Sequence, residues 1–495
     1  MRFKKALAIF LALSMIAGSF AACGGEKNTD TPAGNNPGQE QTNNDQKTPT
    51  AEPTEEPKEE KYPFEVVDLD GYVFTVADNN TNRWFPEEGS SERANAIIAR
   101  VNKVQELFNC KIEVKPYGES EFANAVTAGE DYADIIVCET WNLGRHIKAK
   151  RVVDLASLDG LNLNADYWTR YNNTNLLSYQ GKVYGVAAPF ASQMYEIFLM
   201  FFNKNIIEEL NLESPYDLYA RDEWTFSKFL EYVKAAKKDL NGDGMLDEND
   251  RYGFSCGHNW DTPVVMYLAS GNQFYRENSD GSIEFQLNTT DAFKAVKQVK
   301  EMLNPGDTYW PKPEGAEMNA YVQAFTEGKA LFYTYSRGRG VADAIYDMQD
   351  DFGIVPIPRG DNAPTYRCWV SHDAPSMSIP STNKNIDKTV KILEALAYFA
   401  QDENEIELDE FCTKLRDDRS AEILREMPKY AHSDLAFIGQ QCAGGFYAAL
   451  NAVVNVTFAQ REKEIASTVA GIELEVEDGI QEFIDIMLGK TGSEE

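Results

Sequence analysis

One stretch of this chain has nothing to fold with. From Gly24 to Lys61 there is no Leu, Ile, Val, Met or aromatic residue, only small, polar and charged residues, proline and two alanines. Such a segment buries no apolar surface to offset the ordering entropy of its backbone, so it reads as a disordered tether. As a flexible coil it would hold its ends roughly 35 Å apart. A compact fold is thereby confined to Tyr62–Glu495. That length exceeds one ordinary hydrophobic core and points to two lobes.

The residues before the tether suggest where it is attached. Arg2, Lys4 and Lys5 precede an apolar run, Ala6 to Gly18, and the small residues Ala21 and Ala22 stand before Cys23. The run is too short to span a bilayer, so residues 1–22 read as a signal peptide. The ending resembles a bacterial lipobox, with Phe20 departing from the usual Leu, and implies lipidation of Cys23 and a membrane anchor. Ordinary cleavage with an incidental cysteine is the other reading. No later segment has the continuous apolar length of a transmembrane helix.

The net charge of −32 argues against nucleic acid as a partner, although solubility accounts for most of it. Six further cysteines (Cys110, Cys138, Cys256, Cys368, Cys412 and Cys442) form no Cys-x-x-Cys pair, which speaks against zinc. Cys110 and Cys138 stand in strand-like runs and read as small buried hydrophobes. Whether any of the six pair is open at this level. Four histidines, His146, His258, His372 and His432, form no i, i+4 metal pair, and no nucleophile-elbow or phosphate-loop motif is present. Ser371-His372-Asp373 are consecutive, which does not supply triad geometry. The chain reads as a non-enzyme, with one reservation: a glycosidase carboxylate pair would be invisible among so many acidic residues.

Strand and helix alternate where the foldable part begins. Tyr72–Ala77 reads as a strand, and Ser91–Phe108 as an amphipathic helix with Ala94, Ile97, Ile98, Val101, Val104, Leu107 and Phe108 on one face. A strand at Cys110–Tyr117, a short helix around Phe122–Ala128 and a strand at Ala133–Cys138 follow. Units of this size imply a parallel sheet flanked by helices, an α/β fold. Ligands gather beyond the carboxyl ends of such strands, here Asp78–Asn80, Tyr117–Gly118 and Glu139–Trp141.

The sharpest local motif is Asp239–Asp250, DLNGDGMLDEND. Asp239, Asn241, Asp243, the Met245 carbonyl, Asp247 and Asp250 fall at EF-hand loop positions, with Gly244 at the turn. Asp250 replaces the usual glutamate, and the residues after it read as a strand instead of an exiting helix. Structural calcium and a solvated acidic turn are both open.

Several stretches carry a family resemblance in consistent order. They are Asp134-Ile-Ile, GKVYGVA (Gly181–Ala187), FFNKNIIEELNL (Phe201–Leu212), FTEGKALF (Phe325–Phe332), DFGIVPIPRG (Asp351–Gly360) and SIPSTNKNIDKTVKILEAL (Ser378–Leu396). Together they resemble family 1 extracellular solute-binding proteins, in particular the lipoproteins of Gram-positive bacteria. The resemblance implies a two-lobe, periplasmic-binding-protein-like fold, each lobe a mainly parallel sheet with helices, and a ligand cleft between them. Crossings would fall near Pro189, near Pro356–Pro358 and in the acidic stretch 402–409, read as a solvated connection. Lobe one would then hold residues 62–188 and 357–405, and lobe two residues 189–356 and 406–495.

For the ligand the resemblance implies a carbohydrate, held by flat apolar faces and planar polar groups. In relatives that bind maltodextrin, a glutamate at the place of Glu196 hydrogen-bonds the sugar. Tyr335, Ser336 and Arg337 follow the strand where relatives place an aromatic contact, with Gly338 where the aromatic residue itself often stands. Glu139 and Trp141 fall in the contact loop. Trp260, with Asn259 and Asp261, and Phe446 with Tyr447 complete the candidates, and Trp84 and Trp369 are weaker ones. An aromatic residue taken by itself is more often packing than a ligand platform. The expectation is a monomeric, lipid-anchored protein at the outer face of the membrane. It would capture an oligosaccharide by hinge closure and deliver it to ABC permease subunits. A secreted glycoside hydrolase and a surface glycan adhesin are the alternatives.

Overall fold

The structure, a computed structural model, describes residues 61–169, 178–187, 196–309, 318–336 and 343–490. Cys23, the tether as far as residue 60, the crossing near Pro189 and Arg337 lie outside these residues. Among the described residues no helix is long and apolar enough to cross a membrane.

The strand–helix alternation builds a four-stranded sheet. Strand β1 (Tyr72–Ala77) lies between β2 (Cys110–Lys115) and β3 (Ile135–Glu139), parallel to both, with Tyr72 opposite Cys110 and Val76 opposite Ile135. Pro375–Ser378 adds antiparallel to β3. Helix α1 (Glu92–Phe108) begins where Ser91 caps it, its hydroxyl accepting from the Ala94 N–H at 3.0 Å. Its buried face carries Ala94, Ile97, Val101, Val104 and Phe108, and packs into a core with Phe74, Val76, Met377 and Leu396.

The second sheet has five strands in the order Thr308–Tyr309, Tyr252–Ser255, Ala330–Ser336, Phe198–Asn203, Phe352–Val355. The expected mainly parallel arrangement describes the first sheet, whereas this one divides evenly between parallel and antiparallel pairs. The reason is topological. Phe198–Asn203 brings the chain in and Phe352–Val355 takes it away, and the two are neighbours, so they run in opposite directions. Helix Phe226–Ala236 presses on Tyr252–Ser255 so closely that a Cβ on Gly253 would lie 2.0 Å from the Val233 carbonyl oxygen.

Three expected boundaries move. Residues 357–369 belong with the second sheet's elements: Arg359 bonds through its backbone to Trp224 and Phe226, and Gly360 to Ala269. The chain reaches the first sheet at Val370–Ala374, where the Trp141 and Thr140 N–H groups, just past β3, donate to the His372 and Ala374 carbonyls, while Val370 still bridges to Ile197. Prolines mark extended chain, and Pro356 and Pro358 mark it within one layer. The C-terminal helices, expected on the second sheet alone, touch both sides. Helix Gly444–Val454 packs on Asp261–Ala269, while Glu473–Met487 reaches Thr140–Lys148 and the Tyr184 hydroxyl, which donates to the Met487 carbonyl at 3.0 Å.

The third correction concerns the acidic stretch. Glu403–Cys412 is a helix, with Glu403, Asn404 and Glu407 buried. Its partner is Arg100, a charged residue on the apolar face of α1, whose guanidinium meets both Glu403 oxygens at 2.8 Å. Arg93 adds an ion pair to Glu407 at 3.2 Å. Burial raises the Glu403 carboxyl, and the Arg100 charge opposes that rise. Removing one partner strands a buried charge. Arg100→Met is therefore expected to cost about 3–5 kcal/mol in urea unfolding, whereas Arg100→Met with Glu403→Met should cost much less. A double variant as unstable as the single one would show that the pair is not what holds the helices together.

Candidate functional site

Beyond the carboxyl ends of β1, β2 and β3 lies a cavity of about 440 Å³. Asp78, Asn79 and Asn80 reach it from β1, Tyr117 from β2, and Cys138 and Glu139 from β3. Glu196 and Asp373 line it from the inter-sheet segments, Pro375 from the strand added to β3, Arg93 from α1, and Arg83 and Glu407 from beside α1. The strand ends thus open onto a cavity, and it brings the expected Glu139 and Glu196 together. Arg83, Arg93, Asp373 and Glu407 were missed. Nothing local marks them, since each depends on a partner or a crossing distant in sequence.

The polar groups are held before any ligand arrives. Asp78 accepts from Arg83 at 2.6 Å, from the Trp84 indole at 2.8 Å and from the Asn80 N–H at 2.9 Å. Asn79 accepts from the Tyr117 N–H at 3.0 Å. The Tyr117 hydroxyl and His146 Nε2 share a hydrogen bond of 2.8 Å. Burial, with Arg151 adding to it, holds the His146 imidazole down at about 4, so the ring is neutral at physiological pH.

Beside the cavity, the segment Val370–Ala374 gathers the aromatic candidates. The Trp141 N–H donates to the His372 carbonyl at 3.0 Å, and the Trp260 and His372 rings meet edge to face at 4.9 Å. Asp261 faces His258 Nδ1 at 3.0 Å and His372 Nδ1 at 3.8 Å. Gly257, at φ +65°, makes the loop possible, because a Cβ there would sit 2.0 Å from the Thr334 carbonyl oxygen. Trp260 is half-buried and its indole donates to Asn451 at 3.2 Å. Asn259 is half-buried, and Trp141 is half-buried with Arg145 over its ring at 5.9 Å.

Other aromatic candidates are packing. Phe446 is fully buried, stacked on Tyr275 at 4.1 Å and packed against Phe483, while its neighbour Tyr447 is exposed outside the cavity lining. Tyr335 is buried with its ring against Phe198, and Ser336 is buried beside it. Trp369 is buried, stacked between Phe198 and Phe437. Trp84 is buried beneath Asp78. As placed, the four buried rings, Phe446, Tyr335, Trp369 and Trp84, offer no face to a ligand, because neighbouring rings and strands cover them. All six described cysteines are free. Cys138 is buried as expected and Cys110 is half-buried; burial pushes the Cys138, Cys256, Cys368 and Cys442 thiols up to about 12.

The Asp239–Asp250 loop follows a helix and precedes a strand, as the sequence suggests. Its oxygens are spent on its own backbone: Asp239 accepts from Gly242 and Gly244, Asp243 from Met245, Asp247 from Asn249, and Asp250 from Leu240 and Asp247. Among the described residues no three acidic, histidine or cysteine side chains are placed to hold a metal ion.

The sequence profile of the family described as bacterial extracellular solute-binding protein matches residues 89–406. No sequence among the curated proteins matches the chain. Solved structures do. The GacH receptor of Streptomyces glaucescens, solved unliganded and with acarbose, aligns at a TM-score of 0.54 and 13% identity, over 84% of this chain and 99% of its own. A cyclo/maltodextrin-binding protein complexed with maltotetraose aligns at 0.53 and 14%, over 85% and 97%. MalE from Bdellovibrio bacteriovorus, bound to maltotriose, aligns at 0.52 and 14%, over 83% and 99%. At such identities the likeness is one of fold.

The His146–Tyr117 contact carries a pH dependence. His146 in the folded state is depressed to about 4 from an ordinary 6.5, so the unfolded chain binds that proton more readily. The neutral ring's contribution is complete above pH 6.5 and is lost as pH falls toward 4. The urea midpoint of wild type is expected to drop over this window by more than that of His146→Gln, which does not titrate. Equal pH slopes for the two proteins would overturn the assignment.

Proposed function

This chain belongs to the bacterial extracellular solute-binding proteins, and on that footing we propose that it captures an oligosaccharide in the strand-end cavity and delivers it to the permease subunits of an ABC importer. The observation that carries the reading is the lining itself. Amides, two arginines and several carboxylates line the cavity, Asp78 and Asn79 held by hydrogen bonds and Arg93 paired with Glu407. The half-buried Trp260 and Trp141 lie outside the lining, joined to it through Val370–Ala374. Planar polar groups for paired hydroxyls and flat rings for C–H faces are what a sugar requires. Glu196 and Glu139 are the proposed hydroxyl partners, and Trp260 the proposed ring contact.

The two sheets would be the centres of two lobes that close on the ligand, which stabilises the closed form only through contacts made to both. Their crossings would be the segment before Phe198, the segment Val370–Ala374 and the helix Glu403–Cys412. The protein would act as a monomer, without catalysis, held at the outer membrane face through a lipid on Cys23. The tether would give it reach.

A ligand at a hundred times its dissociation constant stabilises its receptor by about 2.7 kcal/mol, so a thermal-shift screen against a glycan library is expected to find a clear rise in Tm. Glu196→Ala should cost about 1.5–3 kcal/mol of affinity for the sugar that is found. The sugar should emerge intact from long incubation; its conversion to smaller products would favour a hydrolase, for which the cavity has carboxylates enough. Undiminished affinity in Glu196→Ala and Trp260→Ala would place the ligand elsewhere. Cys23→Ala is expected to move the protein out of the membrane fraction or leave it as an uncleaved precursor. A wild-type N-terminal fragment with no acyl mass would remove the anchor from the proposal.

A further inference from the structure

A second cavity, of about 510 Å³, opens on the flank of the five-stranded sheet and shares no lining residue with the strand-end cavity. It is formed where helix Pro215–Ala220, the loop Pro364–Tyr366, helix Asp418–Glu426 and Tyr430 come together. Its wall is aromatic. The rings of Tyr219 and Tyr366 lie 5.1 Å apart at 58°, and those of Tyr366 and Tyr430 lie 5.7 Å apart, so the three make a corner. Tyr366 is buried at its base, and Tyr219 and Tyr430 are half-buried.

This corner is fixed. The Tyr219 hydroxyl donates to Glu426 at 2.6 Å and meets the Tyr430 hydroxyl at 3.0 Å. Arg359 lies 6.0 Å from the Tyr366 ring centre and is itself clamped by both oxygens of Asp222 at 3.1 Å. Rings pinned in this way lose little freedom when something settles on them. Around the mouth stand the exposed Glu422, with Asp222, Glu426 and Arg419, planar groups suited to neighbouring hydroxyls. We propose that this cavity is a second carbohydrate site, on which a polysaccharide lies across Tyr219 and Tyr430.

An organic cation is the obvious competitor, since tyrosines and acids also form ammonium cages. The geometry disfavours it. A cage needs rings facing a shared centre, and these rings touch one another instead. Two of the protein's own cations already stand beside these rings, Lys429 near one face of Tyr430 at 4.8 Å and Arg419 near Tyr216 at 4.6 Å, and like charge repels a third. Such a flank site would hold a long glycan near the surface while the strand-end cavity takes short fragments. It stands independently of the strand-end reading.

Affinity electrophoresis of the full chain in gels containing amylopectin, xylan or galactomannan tests it. At least one polysaccharide is expected to retard wild type and Glu196→Ala alike, relative to a non-binding reference protein. Tyr219→Ala with Tyr430→Ala should raise the half-retarding concentration by about tenfold. Glu422→Gln, at an exposed position, should raise it several-fold with Tm unchanged, which separates lost contact from lost folding. The proposal fails if no polysaccharide retards wild type, if the tyrosine variant migrates like wild type, or if Glu196→Ala alone abolishes retardation. It also fails if tetramethylammonium raises Tm and the same tyrosine changes remove that rise. An oligosaccharide shift that survives in the tyrosine variant would leave the strand-end site intact whatever the outcome here.

Discussion

The short segment Val370–Ala374 is the interaction on which the candidate site depends. Within five residues it bridges to Ile197, receives the backbone of Trp141 and Thr140, and bonds the carbonyl of Glu196. Its His372 ring lies against Trp260, and Asp373 enters the cavity. Backbone hydrogen bonds are directional and costly to leave unmade inside a protein. A segment that satisfies its own by reaching both sheets therefore fixes the position of side chains from each. The cavity is polar because strand ends and crossings, unlike strand middles, have backbone and side-chain groups to spare.

Much of the first sheet was legible in the sequence, for a physical reason. The β1–α1–β2–β3 region is made of neighbours in sequence that pack on each other, so its apolar periodicities report its structure directly. Tyr72–Ala77 and the buried face of α1 are read off almost residue by residue. Arg100 breaks that face and was invisible, because its partner Glu403 lies about three hundred residues away. For the same reason an acidic stretch that looks solvated is half-buried helix. Charge pattern describes a segment, whereas burial describes a pair.

The strand-end cavity was legible in its position more than in its lining. The strand ends follow from a general rule, and Glu196 was pointed to by the family resemblance. Aromatic candidates divided by burial, which no local pattern encodes: Trp260 stays half-buried, whereas Tyr335, Trp369 and Phe446 are enclosed by rings from elsewhere in the chain. In the Asp239–Asp250 loop the spacing suits a cation, and the same carboxylates close Asx turns with the loop's own N–H groups.

The six free thiols have a consequence for how the protein must come to be folded. A thiol reacts as thiolate, and burial that holds four of them near 12 leaves almost none in that form. Beyond the reducing cytoplasm such a protein resists oxidation only while it stays folded. Before folding every one of these sulfurs is accessible and ordinary in acidity, and any pair that joined would tie together chain that the native core keeps apart. Folding speed is then a form of chemical protection, and a mutation that slows it without weakening the final structure would be read out as crosslinked, insoluble protein.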